Sequence, residues 1–310
     1  TITGNYVGTD YTGLTALGNT HSGIFLAGSG STVGGSTSSS TNVISGNGSE
    51  GIRITADGQT IQRNFIGVGV DGSTAVSNGS QGIEISNASN NIVGGSTSNQ
   101  ANIIANNGAD GVAISGSSSL NNTIIGNKIF NNIGLAIDLG NDGVTSNDSG
   151  DPDTGSNDLL NFPELFDSTE NAGNTTVNYK LDVPAGNYRI EFFSNSVADG
   201  SGNGEGESFV GFDTVTSNGS GSQIFNSTVS GVGYTNISMT ATKVLGVNSF
   251  GATSEFGAPA SPQSDIEIAK AVVDDNEPKT SGTITYNFTL TNHGPISVDL
   301  SDYDGTGFNP

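Results

Sequence analysis

Six aspartates, Asp138, Asp142, Asp148, Asp151, Asp153 and Asp158, fall within 21 residues, whereas the 137 residues before them hold only six acids. Asn141, Asn147 and Asn157 are interleaved with them, together with Gly and Ser. Carboxylates crowded into one loop repel each other, and a hard divalent cation relieves the repulsion. Calcium takes six to eight oxygens from carboxylates, amides and backbone carbonyls in flexible loops. Asp151-Pro152-Asp153-Thr154-Gly155 loosely echoes the alternating acids of calcium loops, although the distal Glu of an EF-hand is missing. These six aspartates are therefore candidate Ca2+ ligands, set against the plainer reading of a solvated acidic turn that caps what precedes it. Glu205 and Glu207 form a smaller acidic pair, a candidate for a second cation, for which a solvated loop is the favoured expectation.

The elements that must hold such a loop are short and repeated. At an offset of 59 to 60, Asn5-Tyr6-Val7-Gly8 returns as Asn64-Phe65-Ile66-Gly67, and Val33-Gly34-Gly35-Ser36-Thr37-Ser38 returns unchanged at 93–98. Inside this long repeat lies a shorter one, Gly followed by an alternating apolar pair. It starts at Gly23, Gly51, Gly82, Gly111 and Gly134, at spacings of 28, 31, 29 and 23 residues, in the range of solenoid coils. Each alternation places one side chain inside and the next in solvent. Strands this short bury nothing alone, but stacked at about 4.8 Å per coil they pair their backbones and align their Ile and Val residues in ladders. Asn and Gly between strands supply left-handed turns and stacking amides. From Val177 the alternation lengthens, with strands expected at 175–183, 187–193, 209–216, 222–229 and 234–244, a pattern that predicts an antiparallel sandwich. Gly257-Ala258-Pro259-Ala260-Ser261-Pro262-Gln263-Ser264 reads as a semi-rigid linker.

Gly4-Asn5-Tyr6-Val7-Gly8-Thr9-Asp10, the Val-Gly-Gly stretch and Asn42-Val43-Ile44-Ser45-Gly46-Asn47 with Gly51-Ile52-Arg53-Ile54 resemble the right-handed parallel β-helix repeats of large bacterial and archaeal surface proteins. The resemblance covers about residues 1–165. Ile137-Asp138-Leu139-Gly140 leading through the acidic loop to Asn161-Phe162-Pro163 is similar to the terminal coil of that group. Arg189-Ile190-Glu191-Phe192-Phe193 resembles the sandwich that often follows it, and 265–295 the opening strands of tandem Ig-like surface repeats. The resemblance implies an all-β chain: a right-handed parallel β-helix over 1–165, an antiparallel β-sandwich over 166–256, a linker over 257–264 and a C-terminal Ig-like strand segment over 265–310. It also implies an extracellular or cell-surface location. It says little about activity, because the same scaffold carries lyases, hydrolases, tailspikes and inert stalks.

Enzymatic signatures are missing from this scaffold. A uronate lyase needs a basic residue beside acid-bound calcium, yet the repeat region holds only Arg53, Arg63 and Lys128, on separate coils. His21 and His293 lack the Gly-His-Gly setting of a pectinase-type hydrolase, and Asp151 with Asp153 is explained by solvation or calcium as readily as by acid/base work. No Cys is present, which removes disulfides, thiolate metal sites and a Cys nucleophile. A net charge of −22 repels nucleic acid and anionic membrane surfaces, and no apolar run is long enough to span a bilayer. The expectation is a non-enzymatic structural protein that self-associates head to tail through its C-terminal strands. The alternative is an adhesin fragment whose β-helix binds glycans; a polysaccharide lyase or hydrolase ranks third. Thr1 opens inside a patterned segment without an initiating Met, so a processed or partial product is expected.

Overall fold

A computed structural model describes residues 1–259, 266–272 and 286–292. The first 139 residues wind into a parallel β-helix with three faces. One sheet stacks Tyr6–Val7, Asn42–Ile44, Asn64–Ile66, Ile103–Ala105 and Lys128–Phe130 in that order. A second stacks Ile24–Leu26, Ile52–Ile54, Ile83–Ser86, Val112–Ser115 and Ile137–Leu139. The third stacks Thr32–Gly34, Thr60–Gln62, Ile92–Gly94 and Thr123–Ile125.

The registers align like with like. Ile52, Ile83, Val112 and Ile137 form one interior column, and Ile54, Ile85, Ile114 and Leu139 the next. Most of these side chains are fully buried. The glycine that opens each of the first four strands of the second sheet is required by this stacking: a Cβ on Gly51, Gly82 or Gly111 would lie 2.7 Å from a carbonyl of the next coil, whereas the last strand, with no further coil beyond it, opens on Ala136.

Asparagine ladders run up the corners. Asn47 Nδ2 donates to Asn78 Oδ1, Asn78 to Asn107 and Asn107 to Asn132, each at 2.9 Å. A second column joins Asn42, Asn64, Asn102 and Asn127 at 2.8–3.0 Å. In a third column, Asn91 Nδ2 donates to Asn122 Oδ1 at 2.8 Å. Most of these amides also accept a backbone N–H of the coil before, as Asn78 does from Asn47 N at 3.1 Å and Asn102 from Asn64 N at 2.9 Å. Buried corner backbone is thereby satisfied where the sheets cannot reach.

The 59–60 residue repeat corresponds to two coils, one ornate and one plain. Hairpin loops with bridges Thr9↔Ala16 and Val68↔Ala75 leave alternate coils, as do the 3-10 turns Ser38–Ser40 and Ser98–Gln100. The coil between them turns the same corner on a single residue, Arg63, at φ 54. A protruding loop is thicker than the roughly 4.8 Å between coils, so ornaments fit on every second coil. Successive hairpins then touch, Val70 N donating to Gly13 O at 3.0 Å.

Residues 164–253 form two antiparallel sheets. One orders Glu164–Asn171, Asn174–Leu181 and Gln223–Ser230; the other orders Ser208–Ser217, Gly186–Ser194, Ser238–Gly246 and Ser249–Thr253. Tyr179, Tyr188, Ile190, Phe192 and Met239 fill the space between them. Two of these strands are absent from the sequence reading. Glu164–Asn171 is a half-exposed edge with no apolar alternation, and Ser249–Thr253 is short and interrupted by Gly251. The strand expected at 234–244 begins instead at Ser238. Gly257, assigned to the linker, is buried and donates to Met239 O at 3.1 Å.

Ile266–Val272 and Tyr286–Asn292 pair antiparallel. The rest of 265–310, on which self-association was expected, lies outside the described residues.

Asn78→Ala removes the acceptor for two buried donors of Asn47 and breaks one ladder. Urea denaturation is expected to show a loss of about 2–3 kcal/mol, against less than about 0.5 kcal/mol for the exposed control Ser29→Ala.

Candidate functional site

The last coil of a solenoid exposes unpaired backbone and an open apolar end. Here the sandwich covers both, and strand Gly186–Ser194 shows how. Tyr188, Ile190 and Phe192 face the sandwich core, while the alternate residues Arg189, Glu191 and Phe193 face the other way and are buried as well. Phe193 and Phe256, with ring centroids 5.2 Å apart, join the core cluster of the β-helix, closing over Ile124, Ile129 and Ile137.

Three glutamates stand at the corners where another coil would supply acceptors. Glu191 Oε2 accepts Gly126 N at 2.8 Å. Glu255 accepts Leu139 N at 2.8 Å through Oε1 and Thr145 N at 3.0 Å through Oε2. The carboxylate of Glu205 faces the backbone amides of Asn131 and Asn132, at the end of one asparagine ladder. Between them, Ile129 and Gly206 exchange backbone bonds of 2.9 and 2.7 Å, and Ile124 N donates to Thr253 Oγ1 at 2.9 Å. Asn157 prolongs the third ladder by one position, its Oδ1 accepting Asn122 N at 2.8 Å and its Nδ2 donating to Thr253 O at 3.0 Å.

These carboxylates are costly to bury, and their protonation reflects it. Burial pushes Glu255 and Glu205 up to about 7 against the backbone donors that favour the charged form. Burial also raises Glu191, opposed by Arg189, whose Nε and Nη2 both lie 2.8 Å from Glu191 Oε1. The Arg189 guanidinium stacks 3.5 Å from the Phe212 ring centroid, so this buried pair is held on three sides.

The acidic loop runs alongside this joint. Carboxylate oxygens of Asp148, Asp151 and Asp153 all lie within 4.8 Å of one another. Asn161 fixes two of these residues: its Oδ1 accepts Asp148 N at 3.0 Å, its Nδ2 donates to Asp148 O at 2.8 Å, and its own N donates to Asp151 Oδ1 at 3.0 Å. Asn147 and Phe162 add a reciprocal pair at 2.9 Å, so the Asn161-Phe162-Pro163 motif acts as the loop's anchor. Burial, with the charges of Asp153, Asp148 and Asp158 added, pushes Asp151 up to about 6. Asp148 Oδ1 and Asp153 Oδ1 are buried without a hydrogen-bond partner.

The other three aspartates of the expected set stand apart from this triad. Asp138 projects outward from its strand but is covered by its own turn, accepting Asn141 N at 2.7 Å, Asp142 N at 3.2 Å and Gly143 N at 3.0 Å. Its oxygens are consumed in holding the chain as it leaves the last coil. Asp142 and Asp158 are exposed. Asp158 contributes charge to the cluster, and its neighbour Asn157 contributes the ladder contact described above.

A cleft of about 410 Å3 separates the 95–101 ledge from the sandwich, lined by Ser96, Thr97, Lys128, Arg189 and Phe209 among others. The roles of Glu191 and Glu255 are missing from the sequence reading, since no local motif marks a residue that serves a distant backbone. In comparisons with known proteins, no family model and no curated sequence matches the chain.

Because the folded pKa of Glu255 lies above the unfolded value of about 4.5, the folded state holds the extra proton. Its contribution to stability is complete below about pH 4.5 and is lost as pH rises through about 7. Chemical denaturation at pH 5 and pH 8 is expected to show a smaller pH-dependent loss for Glu255→Gln than for the wild type.

Proposed function

We propose that the chain is a structural, non-enzymatic module of an extracellular or cell-surface protein, in which the β-helix and the sandwich act as one stiff shaft. The observation that carries this reading is the joint. Phe193, Phe256 and the three glutamates occupy the place of a further coil, so core packing and backbone pairing pass from solenoid to sandwich without a flexible hinge. The net charge of −22 and the absence of cysteine agree with a solvent-facing protein that does not rely on disulfides. No helix among the described residues is long and apolar enough to cross a membrane.

In this reading calcium stiffens the shaft at the acidic loop, with Asp148, Asp151 and Asp153 as carboxylate ligands. Two buried, unpartnered oxygens, in a cluster that makes no salt bridge among the described residues, suit a hard cation better than solvent alone. Binding to the folded state alone stabilises by about 2.7 kcal/mol at a calcium concentration 100 times Kd.

A second reading, the binding of a glycan, is favoured by the cleft beside Lys128, whose lining combines Ser96 and Thr97 with the aromatic ring of Phe209. A glycan array probed with wild type and Phe209→Ala distinguishes a ligand site from an inert surface; signal lost in the variant supports it.

Thermal unfolding in calcium and in EDTA tests the metal reading. Calcium is expected to raise Tm in the wild type and to have a smaller effect in Asp148→Asn/Asp153→Asn; equal shifts in both would exclude the triad. Calcium affinity is expected to fall as pH drops below about 6, where Asp151 takes up a proton in competition with the ion. A calcium titration at pH 5 and pH 7.5 reads this directly.

A further inference from the structure

The loop between strands Gly186–Ser194 and Ser208–Ser217 reads Asp199-Gly200-Ser201-Gly202-Asn203-Gly204-Glu205-Gly206-Glu207. Oxygen-bearing side chains occupy every second position, separated by glycine. Asp199, Ser201, Asn203 and Gly204 stand at the relative positions 1, 3, 5 and 6 of an EF-hand loop, where alternate oxygens ligate calcium and a glycine permits the sharp turn. Ser201 departs from the acid or amide usual at the third position but still offers an oxygen. The bidentate Glu at position 12 is absent, since Val210 occupies it.

Sequence pattern and acidity alone leave the solvated-loop reading standing; the burial of Glu205 changes the balance. Glu205 is 8% exposed, and its Oε1 has no hydrogen-bond partner. Asn203 beside it is 9% exposed. Asp199 and Glu207 bring two further negative charges to bear on the Glu205 carboxyl. Burying a carboxylate oxygen unpaired among like charges is costly unless a proton or a cation offsets it. The loop is also anchored where a ligand could order it. Gly204 N donates to Gly257 O at 3.1 Å, Gly206 exchanges backbone bonds with Ile129, and Glu207 Oε2 accepts Ser196 N at 2.6 Å.

We infer that this loop is a second calcium site, separate from the Asp148–Asp153 triad, with Asp199 and Glu205 as its carboxylate ligands and Asn203 supplying an amide oxygen. A mixed carboxylate, amide and hydroxyl set on a glycine-rich loop suits the larger, geometrically tolerant Ca2+ better than Mg2+, which demands a near-ideal octahedron. The ion would sit on the loop that carries Gly206 to the last coil, so its binding tightens the joint itself.

The test is independent of the triad. Isothermal titration of calcium into the full chain, stripped with EDTA and carrying Asp148→Asn/Asp153→Asn, is expected to report one remaining bound ion at pH 7.5. Adding Asp199→Asn is expected to weaken that binding by about tenfold or more, and adding Glu205→Gln to abolish it. The glutamine keeps an amide oxygen toward Asn131 and Asn132, and Asp199→Asn carries the test should the glutamine variant fail to fold. A folded triad-disabled protein that binds no calcium would overturn the site, as would binding unaffected by both substitutions. A wild type that binds a single ion, unchanged by Asp148→Asn/Asp153→Asn and lost with Glu205→Gln, would sink the metal part of the proposed function and leave the present inference intact.

Discussion

Satisfying every backbone N–H and C=O in a stack of very short strands is the constraint on which the rest of this structure depends. A strand of three residues offers too few ladder bonds to specify a fold, and each coil must turn three corners where sheet pairing stops. The asparagine columns solve the corners. An amide has a donor and an acceptor at the right separation to continue a chain of hydrogen bonds along the axis and still serve a backbone group of its own coil. Asn106 and Asn131 illustrate the other property of this residue at corners, adopting φ 59 and 54, where β-branched residues would be strained.

The same constraint explains the shape of the surface and the nature of the end. Loops emerge only on alternate coils because the axial spacing is fixed by backbone pairing, and this leaves ledges with troughs between them. At the final coil the requirement has nothing left to stack on. The sandwich answers it with carboxylates, which accept from two donors at once, as Glu255 does from Leu139 and Thr145. The cost is buried negative charge in a chain already at −22, offset at Glu191 by Arg189 and at Glu255 by the Leu139 and Thr145 amides.

Much of the β-helix was legible from residue order. Gly51-Ile52-Arg53-Ile54 and its counterparts at Gly23, Gly82 and Gly111 encode an inward pair and a close approach of backbone, and the structure places them in one sheet in register; the fifth, at Gly134, is displaced by two residues, Val112 pairing with Ile137 rather than Leu135. Arg53 was read as an exposed strand residue, and it lies outward beside Glu84 on the next coil, 3.3 Å away. The acidic cluster was legible only as a region. Alternation cannot tell that Asp138 would be closed over by the amides of Asn141, Asp142 and Gly143 or that Asp158 would stay exposed, because both outcomes depend on how the chain turns after leaving the last coil. The edge strand Glu164–Asn171 was missed for a similar reason: its half-exposed polar residues carry no periodic signal, and its pairing with Asn174–Leu181 creates the strand.

The sequence by itself determined the coil: its length, its inward residues, its corner amides and the glycines where carbonyls crowd the chain. These are local or periodic properties, written again in each repeat. Tertiary structure alone decided how the stack ends. Glu191, Glu255 and Thr253 meet the last coil from 65, 116 and 129 residues away, at Gly126, Leu139 and Ile124. No pattern of spacing marks them, because their partner is a set of unpaired backbone groups that exists only once the solenoid has formed.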